Sequence, residues 1–132
     1  PTFGDHKIQA ATLGIPLVTI PYRVEGSKFK LDPGVYCSLP EGFRRDSLIL
    51  LSNPNNPTGA LTPRRVLEEL LACSSETSMV VVDEAFMDFT SGEESLLGSE
   101  YESVVVLRSS TKMYSIQGVE GQLPIHGVRE TC

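Results

Sequence analysis

Ser78-Met79-Val80-Val81-Val82-Asp83-Glu84-Ala85-Phe86 sets a short, almost wholly apolar and β-branched run directly against two carboxylates. A run this brief and this rich in Val reads as a strand buried on both faces rather than as one turn of an amphipathic helix. Three further runs have the same character: Pro16 to Tyr22, Ser47 to Ser52, and Ser103 to Arg108, which contains Val104-Val105-Val106-Leu107. Longer stretches with helical spacing separate them. That alternation predicts an α/β fold with a mostly parallel sheet.

Between the runs, Asp5 to Leu13 is predicted to be a helix closed by Gly14, because a helix C-terminus often needs one residue in the left-handed conformation. A second helix is predicted from Thr62 to about Cys73. Thr62 would cap it, Pro63 would occupy its first position, and Val66, Leu67, Leu70 and Leu71 would form its apolar face. Arg23 to Asp46 is rich in turn formers, with a short strand expected near Lys28 to Leu31 and a surface helix or loop after it. Thr90 to Glu102 is acidic and Ser/Gly-rich, so an exposed connection is expected, with a turn of helix around Glu93 to Leu97. Arg44-Arg45 and Arg64-Arg65 read as solvated charges at helix ends, and His6 as a surface or edge histidine of the first helix.

The 132 residues are 40% hydrophobic and carry 11 basic against 17 acidic side chains, a net charge of −6. No apolar run is long enough to span a bilayer. The acidic balance argues against nucleic acid and for a small-molecule partner. Cys37, Cys73 and Cys132 are an odd number at wide spacings and form no CxxC pair, which predicts reduced thiols, a cytoplasmic location and no metal site.

In parallel sheets, ligands bind outside the carboxyl ends of the strands. Three of the runs end in unusual chemistry: Asn53-Pro54-Asn55-Asn56-Pro57-Thr58-Gly59, then Asp83-Glu84-Ala85-Phe86, then Ser109-Ser110-Thr111-Lys112. Amide, carboxylate, hydroxyl and ammonium groups are thereby expected along one sheet edge. Taken singly, each has an ordinary explanation, since Asn-Pro and Thr-Gly form turns, a carboxylate can cap the next element, and a lone Lys is usually solvated.

In this order and at these intervals, Asn53 to Gly59, Asp83 to Phe89 and Leu107 to Lys112 resemble the central part of a pyridoxal-phosphate enzyme of the class I/II aminotransferase superfamily. The resemblance runs from Pro1 to about Gly118. It implies part of the three-layer α/β/α large domain of fold type I enzymes, pyridoxal 5′-phosphate as cofactor, and a homodimer as the full-length form. It further implies that Lys112 binds the cofactor covalently and moves the proton at the substrate's α-carbon, and that Asp83 pairs with the pyridine nitrogen. Asn56 would donate to the phenolic oxygen and Ser109 to the phosphate, while Glu84 is expected to be a structural partner. Phe86 stands where many relatives carry a Tyr, so one hydrogen bond to the phenolic oxygen is lost.

Within that superfamily, Phe86 and Thr111-Lys112-Met113-Tyr114-Ser115-Ile116 look more like threonine-phosphate decarboxylases of cobalamin synthesis. Histidinol-phosphate aminotransferases are the alternative, and either implies a small phosphorylated amine as substrate. After the lysine, relatives continue Pro-Gly-Leu-Arg-x-Gly, whereas this chain reads Gln117-Gly118-Val119-Glu120-Gly121. Glu120 would set a carboxylate where an Arg holds phosphate, a reversal worth several kcal/mol at an effective dielectric of ~20. Val-Glu encoded as GTT GAG, read one base later with a following G, gives TTG AGG, or Leu-Arg. Residues 1–118 are therefore expected to be an incomplete part of a cofactor domain, and 119–132 an aberrant tail from a shifted reading frame. A truncated product with no catalysis of its own is a third expectation.

Overall fold

A computed structural model describes residues 5–109 and Lys112. Its centre is a three-stranded parallel sheet in the order β3 (Leu48–Ser52), β4 (Met79–Asp83) and β5 (Val104–Leu107). The register pairs Ile49, Leu51 and Ser52 with Val80, Val82 and Asp83, and Val80, Val82 and Asp83 with Val104, Val106 and Leu107. Three of the four predicted runs thus become strands, within a residue of their expected ends. The fourth does not. Residues 15–22 carry no strand pairing, and Ile15, Leu17 and Val18 are each 54% exposed.

Ahead of the sheet lie α1 (Asp5–Thr12), closed at Gly14 with φ of 65°, and an antiparallel hairpin of β1 (Arg23–Glu25) and β2 (Lys28–Lys30). Two short helices follow, α2 (Pro33–Cys37) and α3 (Glu41–Arg44). Asp32 starts α2 by accepting the Gly34 N–H at 2.9 Å, leaving Pro33 in the first turn, where a missing N–H costs nothing.

The helix α4 (Arg64–Cys73) crosses from β3 to β4 and buries Leu67, Leu70 and Leu71. Its start differs from the expected Thr62 cap. Pro63 is the cap residue, its carbonyl accepting from Val66 N–H at 2.9 Å, and the Arg64 N–H donates to the Glu94 carboxylate. The cap therefore comes from a residue thirty positions away, and an anion at the helix N-terminus also suits the macrodipole.

Because side chains alternate across a strand, Ile49, Leu51, Val80, Val82, Val104 and Val106 share one face of the sheet. These pack with Leu67, Leu71 and Leu96 into the core. The other face is less covered: Leu48, Leu50 and Met79 are 64%, 40% and 49% exposed, and Val81, Val105 and Leu107 are partly buried. The expectation of a sheet buried on both faces thus holds for one face among the described residues.

Further corrections concern the connections and the charges. Residues 90–102 form turns rather than a helical turn around Glu93, and they are not wholly exposed: Ser95 and Leu96 are buried against Glu84. The helical turn falls earlier, as a 3-10 turn at Met87–Phe89. Arg44 is not a solvated helix-end charge; it donates from Nη1 to Cys73 O at 2.7 Å and from Nε to Leu39 O at 3.0 Å. Cys37 and Cys73, expected as reduced thiols, are joined in a disulfide that links α2 to α4. That bond removes the cysteine-based argument for a cytoplasmic location. No helix among the described residues is long and apolar enough to cross a membrane, and no cluster there could hold a metal ion. The proposed frame-shifted tail, 119–132, lies outside the described residues.

Candidate active site

Ser52, Asp83 and Leu107 are register partners at the carboxyl ends of the three strands. The ladder runs one residue further, with Asn53 N–H donating to Asp83 O and Glu84 N–H to Leu107 O, both at 2.8 Å. Everything beyond that line belongs to the loops expected to carry chemistry, so the parallel register itself brings Asn56, Asp83 and Ser109 to one edge.

The loop after β3 is held by two asparagines that do different work. Asn53 is fully buried; its Nδ2 donates to Thr62 O at 3.1 Å and its Oδ1 accepts the Thr62 N–H at 2.7 Å. This side chain stitches the strand end to the segment entering α4. Asn55 closes the loop on itself: its carbonyl accepts from Gly59 N–H at 2.7 Å, its N–H donates to Ala60 O at 2.8 Å, and its Nδ2 donates to the Thr58 hydroxyl at 2.7 Å. Gly59 takes φ of 67°, which this tight closure requires and a Cβ would oppose. The peptide bonds before Pro54 and Pro57 are cis. Between these anchors Asn56 is partly buried, and its side chain makes no hydrogen bond among the described residues.

Asp83 lies on the less covered face of the sheet and is partly buried. Its Oδ1 accepts the Ala85 N–H at 3.0 Å, while Oδ2 has, among the described residues, only the Ser52 hydroxyl at 3.5 Å. One carboxylate oxygen is therefore fixed and the other retains acceptor capacity toward the open side. Phe86, in the place expected for Tyr, turns its ring toward Phe89, with centroids 6.3 Å apart. Ser109 is partly buried just past β5, and Lys112 is exposed. Among the described residues, no hydrogen bond joins the side chains of Asn56, Asp83 and Lys112 to one another.

Behind this edge, on the core face, lies an ionic cluster centred on the buried Glu84. Glu84, 1% exposed, accepts the Ser95 hydroxyl at 2.6 Å and the Leu96 N–H at 2.9 Å, and pairs with Arg108 Nη2 at 3.0 Å. Arg108 also reaches Asp88 Oδ1 and the Ser95 hydroxyl. Glu84 is thus the structural partner expected of it. Arg108 and Asn53 were not legible as organising residues, since an Arg beside a Ser-Ser-Thr-Lys stretch and an Asn before Pro both read as surface chemistry. The one available signal was that each directly follows a buried run.

Tyr22 is partly buried near the same loop; burial pushes its phenol pKa up, an effect that the nearby Thr62 side chain partly offsets. Two concavities are found among the described residues. One of about 440 Å³ sits between β2 and the Thr58–Pro63 segment, and another of about 720 Å³ beside Glu76, Glu100 and Glu102 at the opposite strand ends.

The aminotransferase class I and II family matches residues 1–119. A histidinol-phosphate aminotransferase of Thermococcus kodakarensis is 35% identical over 118 residues, covering 89% of this chain and 32% of that protein. Among solved structures, the PLP-bound C-S lyase of Staphylococcus hominis superposes with a TM-score of 0.75 at 22% identity, over 88% of this chain and 31% of the other. The histidinol-phosphate aminotransferase of Clostridium acetobutylicum does so with 0.75 at 24%, over 90% and 35%. The chain spans about a third of the length of the curated relatives it matches.

Proposed function

The chain belongs to the class I and II aminotransferases, and from that membership we propose that its strand-end edge holds pyridoxal 5′-phosphate for amino transfer from a small phosphorylated amine of the histidinol-phosphate type. The observation that carries the proposal is Asp83: a carboxylate at the end of the central strand, fixed through one oxygen by Ala85 N–H and holding, among the described residues, only a long contact from the Ser52 hydroxyl at the other. That is the acceptor a protonated pyridine nitrogen requires, and the neighbouring donor set of amide, hydroxyl and amine suits a phenolic oxygen, a phosphate and an aldehyde. The residues present therefore fit the cofactor.

When bound, pyridoxal phosphate supplies an electron sink for the bond broken at a substrate's α-carbon. In this reading Asp83 keeps the ring nitrogen protonated, Asn56 donates its amide to the phenolic oxygen, and Ser109 donates its hydroxyl to the phosphate. Lys112 would anchor the cofactor, and its neutral amine would take the proton at the substrate's α-carbon. The 35% identity to a histidinol-phosphate aminotransferase supports transamination. It weighs against the threonine-phosphate decarboxylation that Phe86 and the residues after Lys112 had suggested. A homodimeric full-length form belongs to the same proposal.

Mixing the purified chain with pyridoxal phosphate tests cofactor binding. The expected result is the visible absorption band of a lysine-linked cofactor, lost in Lys112→Ala. No band, or an unchanged band in the variant, overturns the assignment for this chain. Substrate class is then read by assaying the full-length product for amino transfer from histidinol phosphate against carbon dioxide release from threonine phosphate. Release of carbon dioxide without amino transfer would reverse the choice made here.

A further inference from the structure

Glu84 follows Asp83 directly in the chain, and Arg108 directly precedes Ser109. The two form an ion pair across β4 and β5 at 3.0 Å, on the core face, with the Glu84 carboxylate wholly buried. Arg108 is held in turn by Asp88 and by the Ser95 hydroxyl, so its guanidinium bridges both strand ends and the connection between them. The Glu84 N–H to Leu107 O bond ties the backbones at the same level. Alternation sends Asp83 to the opposite face of the sheet, so a pair locked on one face fixes the backbone from which Asp83 emerges on the other.

We propose that Arg108 and Glu84 are positioning residues that set the spacing between the Asp83 carboxylate and the Ser109 segment, and so between the two ends of a bound cofactor; the last step rests on the pyridoxal phosphate reading above. Neither residue touches the cofactor. The requirement is geometric: one planar guanidinium must meet a buried carboxylate, a second carboxylate and a hydroxyl together, which a Lys ammonium on a flexible stem does not reproduce.

The test uses the whole chain as wild type, R108K, and the double variant E84Q/R108M, which removes both charges together and so leaves no orphaned buried ion. Without cofactor, hydrogen exchange at the amide of residue 84 is expected to rise at least about ten-fold in both variants, while the amide of Val80 at the far end of β4 keeps its protection. With cofactor, the pH midpoint of the Lys112-linked absorption band is expected to move by about half a unit or more. Exchange that is unchanged, or that rises evenly along β4 and β5, overturns the positioning role; so does an unmoved midpoint. If wild type forms no band, the cofactor reading fails by itself, and the exchange measurement alone decides whether the pair sets the strand-end spacing.

Discussion

At the scale of single residues, the loop that carries Asn56 depends on Asn53, a fully buried side chain bonded to Thr62. Asn53→Ala leaves the Thr62 N–H and carbonyl without their side-chain partners in a buried place. Each such orphaned group costs about 1–3 kcal/mol, so a loss of about 2–6 kcal/mol is expected in urea unfolding, larger than for an exposed Asn. Tyr22 offers a second measurement. Its pKa is raised by burial, so the unfolded phenol ionises first as pH climbs. Its stabilising contribution is full below the ordinary phenol value of about 10 and is lost as pH rises through the raised folded value. Urea midpoints recorded from pH 9 to 11 are expected to fall more steeply in wild type than in Tyr22→Phe. The sequence could not separate Asn53 from Asn55 and Asn56, because all three are plausible turn formers. What distinguishes them is burial and distant partners, which composition and spacing do not encode.

At the scale of elements, strands and helices were legible where one local rule dominates. The Val run of β4 and the Leu spacing of α4 follow from period alone, and Gly14 ends α1 where a left-handed residue is needed. The misses are where a long-range partner decides. Glu94 caps α4 in place of Thr62, and Glu84 draws Ser95 and Leu96 inward from a segment whose composition reads as solvated. The Cys37–Cys73 bond is another such case, since thirty-six positions separate residues that helix packing places 5.3 Å apart at Cα. Closing a loop of that length restricts the unfolded chain by about 3–4 kcal/mol in the chain-entropy account. Reduction with a thiol, or the Cys37→Ala/Cys73→Ala pair, is therefore expected to lower the thermal midpoint by many degrees. Alkylation mass after reduction should rise by two labels relative to the unreduced chain. Arg44, which also clamps Cys73 through its carbonyl, is expected to keep α4 in place, so the reduced chain should retain its far-ultraviolet helix signal below that midpoint.

For the molecule as a whole, the β-branched runs correctly announced a parallel sheet, but the inference that such runs are buried on both faces outran what these residues supply. Pattern alone cannot say what covers a strand, only that its side chains favour being covered. Among the described residues α4 and Leu96 cover one face, and Asp83 lies on the other, less covered face. This asymmetry has a direct energetic signature. Val82 is fully buried in the core, whereas Val81, its neighbour on the same strand, faces the other way and is only partly buried. Removing two methyl groups from Val82 forfeits their transfer energy and leaves a cavity, so Val82→Ala should cost about 2–3 kcal/mol; Val81→Ala, with little cavity to leave, should cost about 1 kcal/mol. The same ordering is expected for Val106 over Val105 on β5. Chemical unfolding of the four variants measures it, and equal costs on the two faces would mean that the second face is packed as tightly as the first.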